Sequence, residues 1–417
     1  MSPNLRIAIR FLVAKKRSMA MSLAGIVFGV GFFIVTQAQT SGFEEFFIRT
    51  ILGTNGAIKI EDRFQDTLRS MAAAGEDGGS GFQISQRESR NYIPGVQDPR
   101  TIRAELETFS GVTAVSEVVR GNVVAEGPGA RTDPAQVLGI NLEDHLNASD
   151  LAQQIVRGDL GEFRSNPNGV LIGLKLALRL QLEPGDTVVF QTQGEKRRYR
   201  VSAIYQTGVT DIDGVVVYMH MTAARSLLRI PHGVTFMQIN VKDRDRAPAI
   251  AAHIEKVLQH NAISWQEREK VWLDVFRALR ISSAITVSTI ILISGLGMFN
   301  TLAMVVMEKT KEISILRSMG YTRRDISNIF LWQGVLVLCA GSLLGSGLGA
   351  GLTFGVSNLP IRVRGIFSTD SFVVNWSGWH YVAAVLTAVI VVMFASLIPA
   401  RRAARLEPGD VIRGTAQ

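Results

Sequence analysis

The chain has a single cysteine, Cys339, among 417 residues, so it can form no internal disulfide and its stability rests on packing. It has no G-x-x-x-x-G-K-[ST] stretch, which excludes a P-loop cradle for ATP phosphates. No G-x-S-x-G elbow offers a serine nucleophile. The six histidines, His145, His220, His232, His253, His260 and His380, are scattered, with no H-E-x-x-H and no cysteine beside them, so no metal centre is expected. On this reading the chain has no catalytic residues and binds no cofactor itself.

Charge is missing over two long runs, Ile281 to Met307 and Ile326 to Ile361. About 20 residues at about 1.5 Å each cross a hydrocarbon core of roughly 30 Å. Both runs suffice, as do Met19 to Val35 and Tyr381 to Ile398, the last preceded by Trp376, Trp379 and His380 as interfacial anchors. The mean hydropathy of +0.20 agrees. With no charge deep in any span, a proton- or ion-coupled carrier loses ground. A cleaved signal peptide fits less well than a first span, because the apolar stretch outruns an h-region and carries the packing pattern "GIVFGVG".

The expected fold class is a membrane protein, α-helical with four transmembrane helices, plus a large external α+β domain on helical stalks. The expected divisions are an amphipathic N-terminal segment over 1–18, a first transmembrane helix over 19–40, the external domain with its stalks over 41–278, and a second transmembrane helix over 279–307. A charged segment over 308–325, a third helix over 326–356, a short external loop over 357–378, a fourth helix over 379–399 and a tail over 400–417 complete the chain. The N-terminal segment nets +5, the charged segment +2 and the tail +2, against +8 for the whole chain. The positive-inside rule then puts all three, and both termini, in the cytoplasm. The basic balance is a topology signal and points to no nucleic acid.

Pro3 at a first helical position, with Ser2 as N-cap, opens a segment in which Leu5, Ile9 and Leu12 share a face. It is read either as a helix lying on the membrane surface or as a solvated tail that sets topology. After the first span, Phe43, Phe46, Phe47, Thr50 and Ile51 keep a helical spacing, which predicts a stalk and, with it, an apolar flank for a substrate cavity. "WQEREKVWLDVFRALR" predicts a second stalk running unbroken into the second span. Gly- and Ser-rich sequence over 72–97 predicts a mobile loop. Beyond it, "GVLIGLKLALRLQL" reads as a helix, while "DTVVFQT", "KRRYRVSAIY" and "GVVVYM" read as strands with a tight turn at Gln193 and Gly194.

Two patterns stand out. In the third span Gly341, Gly345 and Gly349 recur every four residues, and so do Gly347, Gly351 and Gly355; both faces are expected to pack against helices. In the charged segment, "EKTKEISILRSM" suits a helix of about three turns with Ile313, Leu316 and Met319 on one side. Gly320 suits a left-handed stop, and Thr322 followed by Asp325 resembles a capping box that starts the third span. Physics alone leaves a docking helix and an ordinary charged loop equally open.

"MVVMEKTKEISILRSMGYTRRDISNIFLWQG" and "PARRAARLEPGDVIR" resemble the permease family that includes the lipoprotein-releasing Lol proteins, the MacB exporters and FtsX. The likeness is carried by Glu308, Glu312, Ile313, Leu316, Arg317, Gly320, Arg323, Arg324, Asp325 and Ile326, and by Pro399 to Leu406 with Pro408. "SGFEEFFIRTILGTNGAIKI" further resembles the LolC and LolE permeases. The resemblance implies a periplasmic external domain, the bacterial inner membrane, a second permease copy or paralogue, and two cytoplasmic ABC ATPase subunits that carry the ATP and Mg. It makes residues 308–325 the coupling helix seated in the ATPase. It also implies lipoprotein or other amphiphilic cargo lifted from the outer leaflet of the inner membrane, and a periplasmic chaperone or adaptor. The hairpin "VVFQTQGEKRRYRV" closes too soon to hold the hook of LolC-type permeases, so the chain is expected to be hookless, nearer LolE or a sister exporter. A MacB-like or DevC-like exporter and an FtsX-like signal transmitter are the alternatives.

Overall fold

A computed structural model describes residues 3–14, 16–65, 91–192, 194–359 and 372–406. The expected N-cap at Ser2, most of the expected mobile loop, Gln193, part of the loop after the third span and the end of the tail lie outside the described residues. The chain divides into two compact units. Of the described residues, one comprises those within 3–45, 274–359 and 372–406, and the other those within 46–273.

Among the described residues four helices, wholly or mostly in the first unit, are long and apolar enough to cross a membrane, Lys16–Asn55, Lys270–Glu308, Arg323–Ser357 and Gly378–Arg405, preceded by a shorter helix, Pro3–Ala14. All four outrun the spans expected from hydropathy, the first two by many residues, because a helix continues past the bilayer wherever its next residues also pack. The short N-terminal helix buries Ala8 and Phe11, and Phe11 meets Phe330 of the third span at 6.3 Å. Its packed face is thus the one carrying Ala8 and Phe11, while Ile9, on the face assigned to the membrane surface from spacing, is exposed. The entry to the fourth span folds onto the first: Asn375 N donates to the Ala38 carbonyl at 2.9 Å, and Ser41 Oγ lies 2.9 Å from His380 Nε2. Trp376 and Trp379 stay exposed, as interfacial anchors do.

The second unit is an α+β domain. Its strands are β1 Ile58–Gln65, β2 Asn91–Ile93, β3 Val112–Glu126, β4 Thr132–Ile140, β5 Ile155–Gly158, β6 Gly169–Gly173, β7 Thr187–Thr192, β8 Glu195–Tyr205, β9 Val216–His220, β10 Phe236–Val241 and β11 His260–Ser264. They run in the order β11-β1-β10-β3-β4-β9-β6-β8-β5, with β2 on β1 and β7 bridging β3 and β8. That bridge closes β3, β4, β9, β6, β8 and β7 into a ring. Its core includes Val137, Ile172, Phe190, Val201 and Met219. A second core, with Ile58, Ile239, Val119 and Trp265, lies where β1, β10 and β11 meet the helices Pro99–Leu106 and Ala247–Leu258. The 15-residue β3 serves both cores.

Two expectations fail here for identifiable reasons. "GVLIG" is strand β6, and only Leu174–Leu180 is helical. All five strand residues are buried, between parallel β8 and antiparallel β9, and a strand covered on both faces shows no alternation. The second stalk is also broken: Trp265–Arg268 is a separate turn, and the long helix restarts at Lys270. Trp265 Nε1 donates to the Arg244 carbonyl at 3.0 Å and Arg268 donates to the Gly56 carbonyl at 3.2 Å, so tertiary bonds hold that turn in place. The first stalk runs unbroken to Asn55, where Gly56 at φ +64° stops it. At Gly53 a Cβ would stand 2.5 Å from Asp150 Oδ2, so a larger residue there would have to displace the Asp150 carboxylate.

Candidate coupling site

The second span ends at Glu308, and the backbone breaks at Lys309 before a nine-residue helix, Thr310–Ser318. Thr310 Oγ1 secures the break by donating to the Val306 and Met307 carbonyls at 3.1 and 2.6 Å. Ile313 and Ser314 are buried and Leu316 is half-buried, in a cluster with Ala8, Phe11, Val305, Ile326, Phe330 and Ala403. The Lys309 ammonium pairs with Glu312 and stands 5.7 Å from the Phe11 ring. Gly320 sits at φ +99°, the left-handed stop its position suggested, and a side chain there would be strained. Asp325 N then donates to Thr322 Oγ1 at 3.2 Å while Thr322 N donates to Asp325 Oδ2 at 3.1 Å, a complete capping box. Asn4 Nδ2 also donates to Asp325, at 3.2 Å, and ties the N-terminal helix to the same corner.

Arg317 faces inward. Its Nη1 donates to the Ala404 and Leu406 carbonyls at 3.1 and 2.8 Å. These oxygens lie at the end of the fourth span, where helix carbonyls lack intrahelical partners and carry negative partial charge. The short helix is thus clamped onto the bundle by a contact 87 residues away in sequence, which local spacing could not reveal.

The outward face differs from the expected one. Met319 does not join Ile313 and Leu316 inside; it is 74% exposed, with Ile315 at 59% and Met307 at 72%. Ile315 and Met319 lie four residues apart at the end of the short helix, while Met307 precedes the break at Lys309. Glu308, Lys311, Glu312, Arg323 and Arg324 are also exposed. The expected residue set therefore divides: Ile313, Leu316 and Arg317 brace the helix, and the exposed charges share the segment with exposed apolar side chains that sequence reasoning missed. Counting exposed apolar positions on a charged helix was the available signal.

The glycine pattern divides in the same way. A Cβ at Gly341 would stand 2.7 Å from Ile26, at Gly345 2.8 Å from Val30, and at Gly349 3.0 Å from Ile34. This series packs the third span on the first. Gly347, Gly351 and Gly355 would meet nothing within 4 Å among the described residues, so the expectation that this face also packs is not met within the chain. Phe47 is buried and contacts Trp272 at 5.8 Å, which makes it part of a packed junction and not a cavity wall. Phe46 is half-buried in the sheet unit, and Phe43, in the helical unit, meets Phe372 edge-on at 6.0 Å. Among the described residues no group of three His, Cys, Asp or Glu side chains could hold a metal.

Residues 19–257 match the family described as MacB-like periplasmic core domain. The chain belongs to the MacB-like permease family. Residues 284–408 of this permease, which contain the clamped helix, match the FtsX-like permease C-terminal family. The chain is 25% identical to the lipoprotein-releasing system transmembrane protein LolC of Xylella fastidiosa, over 98% of both chains. It is 23% identical to LolE of Haemophilus influenzae, over 76% of this chain and 82% of that one. A macrolide export ATP-binding/permease protein MacB of Psychrobacter cryohalolentis is 34% identical over 32% of this chain and 19% of its own. This MacB-like permease is accordingly an ABC transporter permease of the bacterial inner membrane, and its family implies an ABC ATPase partner and a second permease. In the hairpin, Thr192 pairs with Glu195, so two residues separate β7 from β8.

Proposed function

We propose that this permease is one half of a lipoprotein-releasing transporter, whose short charged helix, with Ile315 and Met319 exposed, seats in a cytoplasmic ABC ATPase. Two copies of that ATPase bind ATP and Mg, and a second permease copy or paralogue completes the complex. Both termini are cytoplasmic. ATP-driven closure moves the clamped helix, and with it the bundle and the stalks, so that a lipoprotein leaves the periplasmic leaflet for a periplasmic chaperone without crossing the membrane core.

The outward face of the short helix carries the coupling half of this reading. Exposed Ile315 and Met319 on a charged helix, braced from behind by Ile313 and Arg317, suit a groove on a protein partner. The cargo half leans on the end-to-end likeness to LolC. Depleting the protein and fractionating the envelope tests it: outer-membrane lipoproteins should accumulate in the inner membrane, and normal sorting would refute the assignment. The likeness to MacB favours a second reading, export of a peptide, glycolipid or drug with a periplasmic adaptor. Co-purification of an adaptor with unaltered lipoprotein sorting would establish that reading instead.

A further inference from the structure

The N-terminal helix, the start of the first span and the third span enclose a cleft of about 400 Å³, within the size range of ligand sites. Its wall includes Ile9, Val13, Met19, Leu23, Leu336 and Val337. Among the described residues, Lys16 is the one charged residue that lines it. The helix that roofs the cleft turns Ala8 and Phe11 inward against the protein and leaves Ile9 and Val13 exposed on the cleft side. An apolar cleft on the flank of membrane-spanning helices is filled by hydrocarbon, because water there would find no partners. The charge of the N-terminal segment that borders it is of one sign. Arg6, Arg10, Lys16 and Arg17 are exposed, and no acidic residue precedes Glu44 in the sequence.

We propose that this cleft is a binding site for one anionic phospholipid, with an acyl chain along Ile9, Met19, Leu23 and Val337 and the headgroup phosphate held by Lys16. Lys16 suits the role because its aliphatic stem lies along apolar surface while its ammonium reaches the interface. Neighbouring Arg10 and Arg17 add to the attraction for an anionic headgroup. The occupied cleft would fix the angle between the N-terminal helix and the first span, next to the corner where Asn4 holds Asp325. The site rests on reading the long helices as membrane spans and is independent of the transporter's cargo.

Native mass spectrometry of the full chain released from nanodiscs of equal phosphatidylglycerol and phosphatidylcholine tests the assignment. The wild type should retain one phosphatidylglycerol, favoured by at least about fivefold over phosphatidylcholine, which corresponds to about 1 kcal/mol. Ala20→Trp, which fills the cleft from its wall, should cut the retained lipid by a similar factor. Lys16→Gln should keep lipid bound and lower the preference towards unity. Leu343→Trp, on an exposed part of the third span outside the cleft, should change neither. Equal retention of both lipids by the wild type, undiminished retention by Ala20→Trp, or equal losses in Ala20→Trp and Leu343→Trp would overturn the site. An unchanged preference in Lys16→Gln would overturn the headgroup assignment.

Discussion

The helical unit and the sheet unit bury different kinds of polar group. Among the described residues, the helical unit buries hydroxyls and amides and no Asp, Glu, Lys, Arg or His. Thr301, Ser314, Thr353 and Ser396 each donate to the carbonyl four residues earlier in their own helix, at 2.8 to 2.9 Å. The side chains of Gln333 and Ser342 make no hydrogen bond among the described residues. The sheet unit instead buries His145, Asp213 and His260. Asp213 accepts from Thr207 N, Thr207 Oγ1 and Gly208 N at 2.7, 2.8 and 3.2 Å. In the bundle, hydroxyls bond largely within their own helix, with a few polar contacts between helices such as Ser22 Oγ to Thr301 Oγ1 at 3.1 Å and Gln37 Nε2 to Ser283 Oγ at 3.2 Å. In the sheet unit, loops need side chains to satisfy their backbone, and some of those side chains titrate.

The comparison breaks most visibly at the glycines. Gly345→Leu should cost roughly 3 kcal/mol or more of bundle stability, since side-chain atoms would run into Val30 and the Val27 carbonyl. The readout is thermal unfolding of the purified chain in detergent, and Gly351→Leu should leave it unchanged. Equal sensitivity at both positions would deny that the first span packs on one face only.

The sheet unit should respond to acid where the bundle does not. Burial pushes the His145 imidazole down to about 4, so the folded state holds it neutral while the unfolded chain protonates near 6.5. Its contribution is complete above pH 6.5, is lost as pH falls from 6.5 to about 4, and is flat below that. The loss is about 3 kcal/mol over that window. His145→Gln should flatten the pH dependence of sheet-unit unfolding, followed by the fluorescence of Trp265 and Trp272. An unchanged slope would mean that His145 is not held neutral. Burial also raises the Asp213 carboxyl, with the opposite sign, so the difference between variant and wild type is the quantity to measure.

Smaller effects separate the two sides of the short helix. Arg317→Ala should cost about 2 kcal/mol by removing charge-assisted bonds to the Ala404 and Leu406 carbonyls, seen as faster proteolysis of the C-terminal segment. Ile315→Asp should cost under about 0.5 kcal/mol in stability, as exposed substitutions do, yet abolish ATPase co-purification. If Ile315→Asp still pulled down the ATPase, the outward face of the short helix would not be the seat.

Spans, caps and stops are legible in the sequence because their causes are local. Hydropathy acts over one run of residues, the Thr322–Asp325 box over three positions, and the left-handed stop at Gly320 over one. Strand β6 is not legible, because "GVLIG" is a strand only through neighbours contributed by residues 200–219. Nor is the facing of each helix: the two glycine series are alike in sequence, and only the first span, more than 300 residues away, distinguishes them. Arg317 reads as a surface charge until the fourth span presents its terminal carbonyls. The sequence by itself determined where the chain enters the membrane and where its helices stop. The tertiary structure decided which faces are packed and which are left open, because that depends on which distant residues arrive at the same place.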